Sequence, residues 1–233
     1  MNYKLFIEVG GNIIMKSELK NVETAISGLQ MIPIDTKQQE FQKLMTIYEK
    51  AMDKTKQELE GIQTSLNKVY KYNIINNIEC RIKTPDSIIN KMKRKNYDLN
   101  YKALISNVDD VAGIRIICPF KTDIPKIKNV IEKESSIDIL QIKDYMHAPK
   151  KSGYSGLHII GQIPVDIGGT TANVKMEIQL RTMAMNFWAT TEHKIKYKAN
   201  NRLSKIDSKK MIFYAKIINE LDNKISKLNE KYN

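Results

Sequence analysis

The sequence predicts an α+β fold in which a small mixed β-sheet is flanked by helices. Three observations carry this. From Phe41 to Val69 apolar residues recur at alternating steps of four and three, the period of an amphipathic helix. Later segments, GIRIICPF (113–120), SIDILQIKDY (136–145), LHIIGQIPV (157–165) and NVKMEIQL (173–180), show the β-branched runs or period-two alternation of strands. Helical patterns lie between and after them, in the order helix, helix, strand, helix, strands, helix, helix, and layering helices on a sheet buries both patterns. At 233 residues the chain can bury one sizeable core with appendages, not several independent domains.

The elements follow in order. Residues 1–37 read as an N-terminal extension of unreadable role: KLFIEVGGNIIMK predicts a hairpin turning at Gly10 and Gly11, then a weakly helical stretch and a break at MIPID. From residue 38 the stripe Phe41, Met45, Tyr48, Met52, Thr55, Leu59, Ile62, Leu66 and Val69 marks a long helix. A second helix starts near Thr84-Pro85, where Thr can cap and Pro fits the first turn. DIPKIKNVIEKE is a third. Helix is expected again from Arg181 to about Lys198, with Phe187 and Trp188 as packing residues, closing a folded unit over residues 38–200. Residues 201–233 hold a last amphipathic helix, roughly Leu203 to Leu228. It repeats Met211, Ala215, Ile218, Leu221, Ile225 and Leu228, a seam for its own core or for another copy.

The net charge of +12 requires some surface or cleft to hold cations without matching anions, which points to nucleotide, nucleic acid or acidic lipid. Lys and Arg recur along the whole chain, so no basic arm stands out and part of the excess is solvated surface. The two cysteines, Cys80 and Cys118, are isolated from each other and from the three histidines, implying neither a zinc site nor a disulfide framework. No apolar run approaches membrane-spanning length and no cleavage signature opens the chain, which therefore reads as cytoplasmic with no membrane partner.

Four stretches bear chemistry. In NVDDVAGIRIICPF, Asp109 and Asp110 precede a buried strand, as turn residues or as ligands. If that strand neighbours the one at 173, Asp110 and Glu177 can converge on a hard cation such as magnesium, which takes one or two protein carboxylates beside phosphate and water. Strand alternation would then set Lys175, Glu177, Gln179 and Arg181 on a phosphate-handling floor. In RIKTPDSIINKMKRK, Lys91 and Arg94 lie one helical turn apart, on a solvated face or around a polyphosphate. Arg81 or Arg115 could clamp a purine with a flat guanidinium. In HAPKKSGYSGLHII, Tyr154 is a stacking platform near Lys150 and Lys151 or a surface-packed loop residue, and His158 a site or core residue. On the helix after Glu177, residues Asn186, Thr190, His193 and Tyr197 share one face.

Together RIKTPDSI, DDVAGIRI, KKSGYSGLH and EIQLRTMAMNFWATTEHKIKYK closely resemble the synthetase domain of the RelA/SpoT homologue family, and more narrowly a small alarmone synthetase, over roughly residues 38–230. The resemblance implies a nucleotidyltransferase-like domain with helical N- and C-terminal extensions. The implied reaction is Mg2+-dependent pyrophosphoryl transfer from ATP to the ribose 3′-hydroxyl of GTP, GDP or GMP, giving (p)ppGpp or pGpp and AMP. By motif position Asp110 and Glu177 are the metal-binding and catalytic carboxylates. Arg81 and Arg115 flank adenine, Lys91 and Arg94 hold the ATP phosphates, Tyr154 stacks the acceptor guanine, and Lys150, His158, Gln179 and Asn186 line its pocket. Family likeness also implies a homo-oligomer, with a tetramer as one form, and leaves RNA open as a regulator.

This chain departs from the pattern in places. It reads Gly153-Tyr154-Ser155-Gly156 where many relatives have Gly-Tyr-Arg-Ser, so acceptor choice stays open. Ile78, Glu79 and Cys80 lack the aromatic and Thr pair by which one branch binds regulatory alarmone. There is no His-Asp dipeptide, so a synthetase without hydrolase activity is expected. Two other readings remain: the same fold acting on an adenosine nucleotide or a tRNA 3′ end, and a non-catalytic RNA-binding module with steeply salt-dependent affinity.

Overall fold

The computed structural model describes residues 6–9, 12–15, 20–21, 33–37, 39–200 and 202–232. The N-terminal strands β1 (Phe6–Val9) and β2 (Asn12–Met15) pair antiparallel, as the hairpin reading expects. Gly10, Gly11 and most of the stretch read as weakly helical lie outside the described residues, and within that stretch Lys20–Asn21 form a short strand instead of helix.

The remaining elements are β3 (Lys20–Asn21), α1 (Gln39–Val69), β4 (Asn77–Ile82), α2 (Pro85–Arg94), α3 (Tyr101–Asn107), β5 (Ala112–Cys118) and α4 (Asp123–Glu134), then β6 (Asp138–Asp144), β7 (Leu157–Asp166), β8 (Thr171–Thr182), α5 (Met183–Lys198) and α6 (Lys205–Glu230). Strands run in the order β4-β5-β8-β7-β6, with β3 pairing β8 in parallel off that path. β5 and β8 are parallel; β4 on β5, and β6-β7-β8, are antiparallel. The mixed sheet is thus as predicted.

One face of the sheet is covered. Val174, Met176, Ile178 and Leu180 of β8 are fully buried beside Ile114 and Ile116 of β5, and α1 crosses this side. Thr55 of α1 donates its hydroxyl to Met176 Sδ at 3.0 Å, which fixes the side on which the helix lies. The predicted stripe of α1 is the buried one, except that Met52 is half-buried and Val69, at the helix's C-terminal end, is 76% exposed. The predicted Thr84 cap is present, its side chain accepting from the Ser87 amide.

Several expectations need correction. β4 and α3 were not foreseen; NIECRI alternates exposed and half-buried residues, a strand signal too short and too charged to stand out, and α3 is capped by Asn100. Arg181 and Thr182 close β8 rather than open the helix, because Arg181 still pairs with Ile117 of β5 and Thr182 caps α5. Phe187 is 62% exposed, whereas Trp188, one position on, is buried against Met211 and Ala215. The seam expected on α6 also divides. Met211 and Ala215 are buried, but further on the inward residues are Asp222 and Ser226, while Leu221, Ile225 and Leu228 are exposed. The inner face is polar there because it meets polar groups: Asp222 accepts from Thr182 Oγ1 at 2.8 Å, and Ser226 Oγ accepts from the Lys121 amide at 2.9 Å.

Candidate active site

The uncovered face of the sheet carries the charged residues. Alternation along β8 puts Lys175, Glu177, Gln179 and Arg181 there, opposite its buried apolar set. Register does the rest: Glu177 lies across from Gly113, Gln179 across from both Arg115 and His158, and Arg81 across from Gly113. Residues paired across neighbouring strands share a face. Asp110 reaches the same place from the turn before β5, so the strand adjacency on which its convergence with Glu177 depended is present.

Three cavities with shared walls open on this face. One of about 370 Å³ is lined by Arg81, Lys83, Asp110, Arg115, Glu177 and Gln179. A second, of about 710 Å³, is bounded by Arg81, Arg94 and Arg115 and by Thr190 and His193 of α5. The third, of about 440 Å³, takes in Lys91, Lys143, Lys150, Tyr154, His158 and Gln179 together with both carboxylates. Arg81, Arg94 and Arg115 are therefore brought together, but Lys91 is not with them. It faces the third cavity instead, because one turn of α2 is enough to send Lys91 and Arg94 to different cavities although their spacing put them on one face. Asn186 lines none of the three and touches them through Arg181, whose Nη1 donates to Asn186 Oδ1 at 3.3 Å.

The two aspartates are each gripped by two lysines. Lys83 and Lys91 donate to the two oxygens of Asp110 at 2.5 and 2.6 Å, while Lys143 and Lys175 lie 3.5 and 3.3 Å from Asp109. Burial pushes the Asp110 carboxyl up, but the lysine bonds and charges outweigh it and hold it below its ordinary value. Arg115 is paired with Glu79 at 2.8 Å, an exposed contact on the rim.

Glu177 is more enclosed. His158 Nδ1 lies 2.8 Å from its Oε1, and Gln179 Nε2 donates to its Oε2 at 2.5 Å. Burial raises the carboxyl, and His158 and Gln179 together pull it below the usual range, so the group is an anion at neutral pH. Asp110 is close enough to oppose that shift slightly.

Tyr154 is buried, 8% exposed, with its ring edge-on to Tyr145 and His158. Lys150 Nζ and Arg181 Cζ lie 4.8 and 5.0 Å from its centroid. Gly153, at φ +84°, and Gly156, at φ +155°, let the loop turn tightly on both sides of the tyrosine.

Lys83 and Lys143 belong to this constellation and were not among the predicted site residues; they are placed by contacts across the chain. Lys175 and Arg181 were expected on the floor from the strand alternation but given no individual role, and Asp109 was expected as a turn residue or a ligand. The fold and site define an α+β protein whose sheet presents two carboxylates among converging cations, the makings of a metal- and phosphate-handling enzyme.

Comparison with known proteins agrees. Residues 80–202 match the family described as "Region found in RelA / SpoT proteins". "GTP pyrophosphokinase YwaC" of Bacillus subtilis is 35% identical over 200 residues, 86% of this chain and 95% of that protein. "GTP pyrophosphokinase YjbM" of the same organism is 30% identical over 195 residues, 84% and 90% of the two chains. The crystal structure of small alarmone synthetase 1 from Bacillus subtilis bound to its product pppGpp superimposes with a TM-score of 0.77 at 28% identity, covering 83% of this chain and 98% of that one. The chain belongs to the RelA/SpoT family.

Proposed function

We propose that this protein is a GTP pyrophosphokinase that transfers pyrophosphate from ATP to the ribose 3′-hydroxyl of GTP, GDP or GMP and has no hydrolase activity. The observation that carries the reading is that Asp110 and Glu177, 67 positions apart in the chain, line the same two cavities among lysines and arginines. The names of YwaC and YjbM, and the pppGpp bound to the synthetase 1 structure, support it.

Arg81 and Arg115 flank the cavity that suits the donor base, with Arg94 beside them. Lys83 and Lys91 would exchange Asp110 for donor phosphate oxygens. Tyr154, Lys150, His158 and Gln179 surround the cavity for the acceptor, and Asn186 acts there through Arg181. The acceptor 3′-oxygen forms a bond to the donor β-phosphorus, the bond from that phosphorus to the α,β-bridging oxygen breaks, and AMP leaves with the electron pair. The hydroxyl proton passes to Glu177 and then to water.

Among the described residues no group of three or more His, Cys, Asp and Glu forms a ready-made metal cage. Magnesium needs none, and two carboxylates on one cavity wall suit it, with phosphates and water supplying the remaining oxygens. Asp110 and Glu177 would hold it, and when bound it neutralises charge on the phosphates.

The exposed apolar face of α6, from Phe213 through Ile217 and Leu221 to Leu228, supports a homo-oligomer built through residues 201–233, with 38–200 as the catalytic unit. No described helix is long and apolar enough to cross a membrane, in keeping with a cytoplasmic enzyme. RNA binding would be regulatory, through the same basic surface.

Incubation with ATP, GTP and Mg2+ should yield AMP and pppGpp, and a panel of acceptors including GDP, GMP, adenosine nucleotides and tRNA identifies the preferred one. Asp110→Ala and Glu177→Ala should abolish turnover while the chain stays folded. ADP as product, or turnover surviving either change, would refute the assignment.

A further inference from the structure

Arg181 stands out among the cations of the site. It is 6% exposed, and among the described residues no carboxylate lies within ion-pair distance of it. A buried guanidinium costs several kcal/mol unless its donors are satisfied, on the order given for buried ions generally. Here each of its three nitrogens has an acceptor: Nε donates to the Tyr154 hydroxyl at 3.1 Å, Nη2 to Gln179 Oε1 at 2.7 Å and Nη1 to Asn186 Oδ1 at 3.3 Å. Two of those partners lead onward. The Tyr154 hydroxyl is 2.5 Å from His158 Nε2, His158 Nδ1 is 2.8 Å from Glu177 Oε1, and Gln179 Nε2 donates to Glu177 Oε2 at 2.5 Å.

These bonds close into a ring whose direction follows from its two ends when the imidazole between them is neutral. A guanidinium only donates and a carboxylate only accepts, so with a neutral His158 each hydrogen bond passes from the first toward the second. In that form Tyr154 accepts from Arg181 and donates to His158, and His158 carries its proton on Nδ1 and donates it to Glu177. Along the other arm the Gln179 amide must present oxygen to Arg181 and nitrogen to Glu177. Direct attraction cannot do this work. Arg181 and Glu177 are four residues apart on one strand, about 13 Å at ~3.3 Å per residue.

We propose that Arg181 is a positioning residue for Glu177. Through two arms, Tyr154-His158 and Gln179, it holds both carboxylate oxygens in one orientation and leaves each a further lone pair for the cavity. This rests on the reading of Glu177 as the group that takes the ribose proton, and it adds a consequence: the ring passes through Tyr154, so an acceptor base pressing on that side chain bears on the base that deprotonates its own hydroxyl. Arg181 then belongs to turnover rather than to the grip on ATP, although it lines the wall of the donor cavity.

The test separates those roles. Arg181→Met should lower kcat roughly 10- to 100-fold, the range for losing an outer-shell partner, with KM for ATP changed less than about threefold. Arg181→Lys should fare little better, because an ammonium lacks the fork that serves two acceptors at once. Tyr154→Phe cuts one arm only, should also lower kcat, and keeps the proposal testable if the Arg181 variants fail to fold. In 15N-labelled protein at alkaline pH, His158 should appear as the Nδ1-protonated tautomer, distinguished from His147 and His193 by substituting those two. An Arg181→Met effect confined to KM for ATP, full activity in Arg181→Lys, or the opposite His158 tautomer would overturn it. If Glu177→Ala is inactive while Arg181→Met is normal, this proposal alone fails; if Glu177→Ala remains active, the reading of the site fails first.

Discussion

Replacing Gly153 by alanine tests whether the loop carrying Tyr154 is braced by the C-terminal helix. A Cβ at residue 153 would lie 2.2 Å from Ala215 Cβ of α6, far inside contact distance, and the backbone there has φ +84°. Left-handed backbone costs a non-glycine residue about 1–2 kcal/mol, and forcing a methyl into a packed contact about 1–3 kcal/mol. Gly153→Ala should therefore destabilise by roughly 2–5 kcal/mol, lowering Tm by about 4–20 °C at ~2–4 °C per kcal/mol for a chain of this size. The two costs separate in a double-mutant cycle. Ala215→Gly removes the opposing methyl at about 1 kcal/mol of helix propensity, so the double variant should be coupled favourably by roughly 1–3 kcal/mol in urea unfolding. Additivity within about 0.5 kcal/mol, the usual result for independent sites, would mean that loop and helix do not touch and that α6 does not support the site.

Two aspartates, half-buried Asp110 and buried Asp222, should titrate stability with opposite signs. Asp110 has its folded pKa lowered, so its contribution is complete above the ordinary value of 3.8 and is lost as pH falls through the folded value; an Asp110→Asn deficit at neutral pH should close in acid. Asp222 has its folded pKa raised, because burial outweighs the help of Thr182 and Lys121, so wild-type stability should fall as pH rises from 3.8 through the raised value. Asp222→Asn, which keeps an acceptor for Thr182, should remove that fall, as urea midpoints across a pH series would show. Glu79→Gln should change stability by less than about 1 kcal/mol, since its pair with Arg115 is partly exposed; thermal melts read this. Leu221→Lys combined with Ile217→Lys should shift sedimentation toward the monomer without lowering the monomer's helicity, and an unchanged sedimentation profile would remove α6 from the interface.

The alternation of NVKMEIQL and the stripe from Phe41 to Leu66 were legible because periodicity is a local property, decided by 3.6 or two residues per repeat whatever lies across the fold. By the same logic Lys175, Glu177, Gln179 and Arg181 had to share a face once β8 was a strand. Motif content carried the candidate residues further than periodicity could, placing Arg81, Asp110, Tyr154 and His158 around one site before any contact was known. Tertiary structure decided what those residues touch. The register of Gly113 against Glu177 brings Asp110 to its partner carboxylate, and nothing within either segment encodes that register. Contact with Thr182 and Lys121 turns Asp222 and Ser226 inward and leaves Leu221 outside, against the apolar seam of α6. The ring from Arg181 to Glu177 needs β7, β8 and the Tyr154 loop together. Each of its members is an ordinary polar residue in sequence, and burial, which makes an unmade hydrogen bond costly, favours joining them into one device.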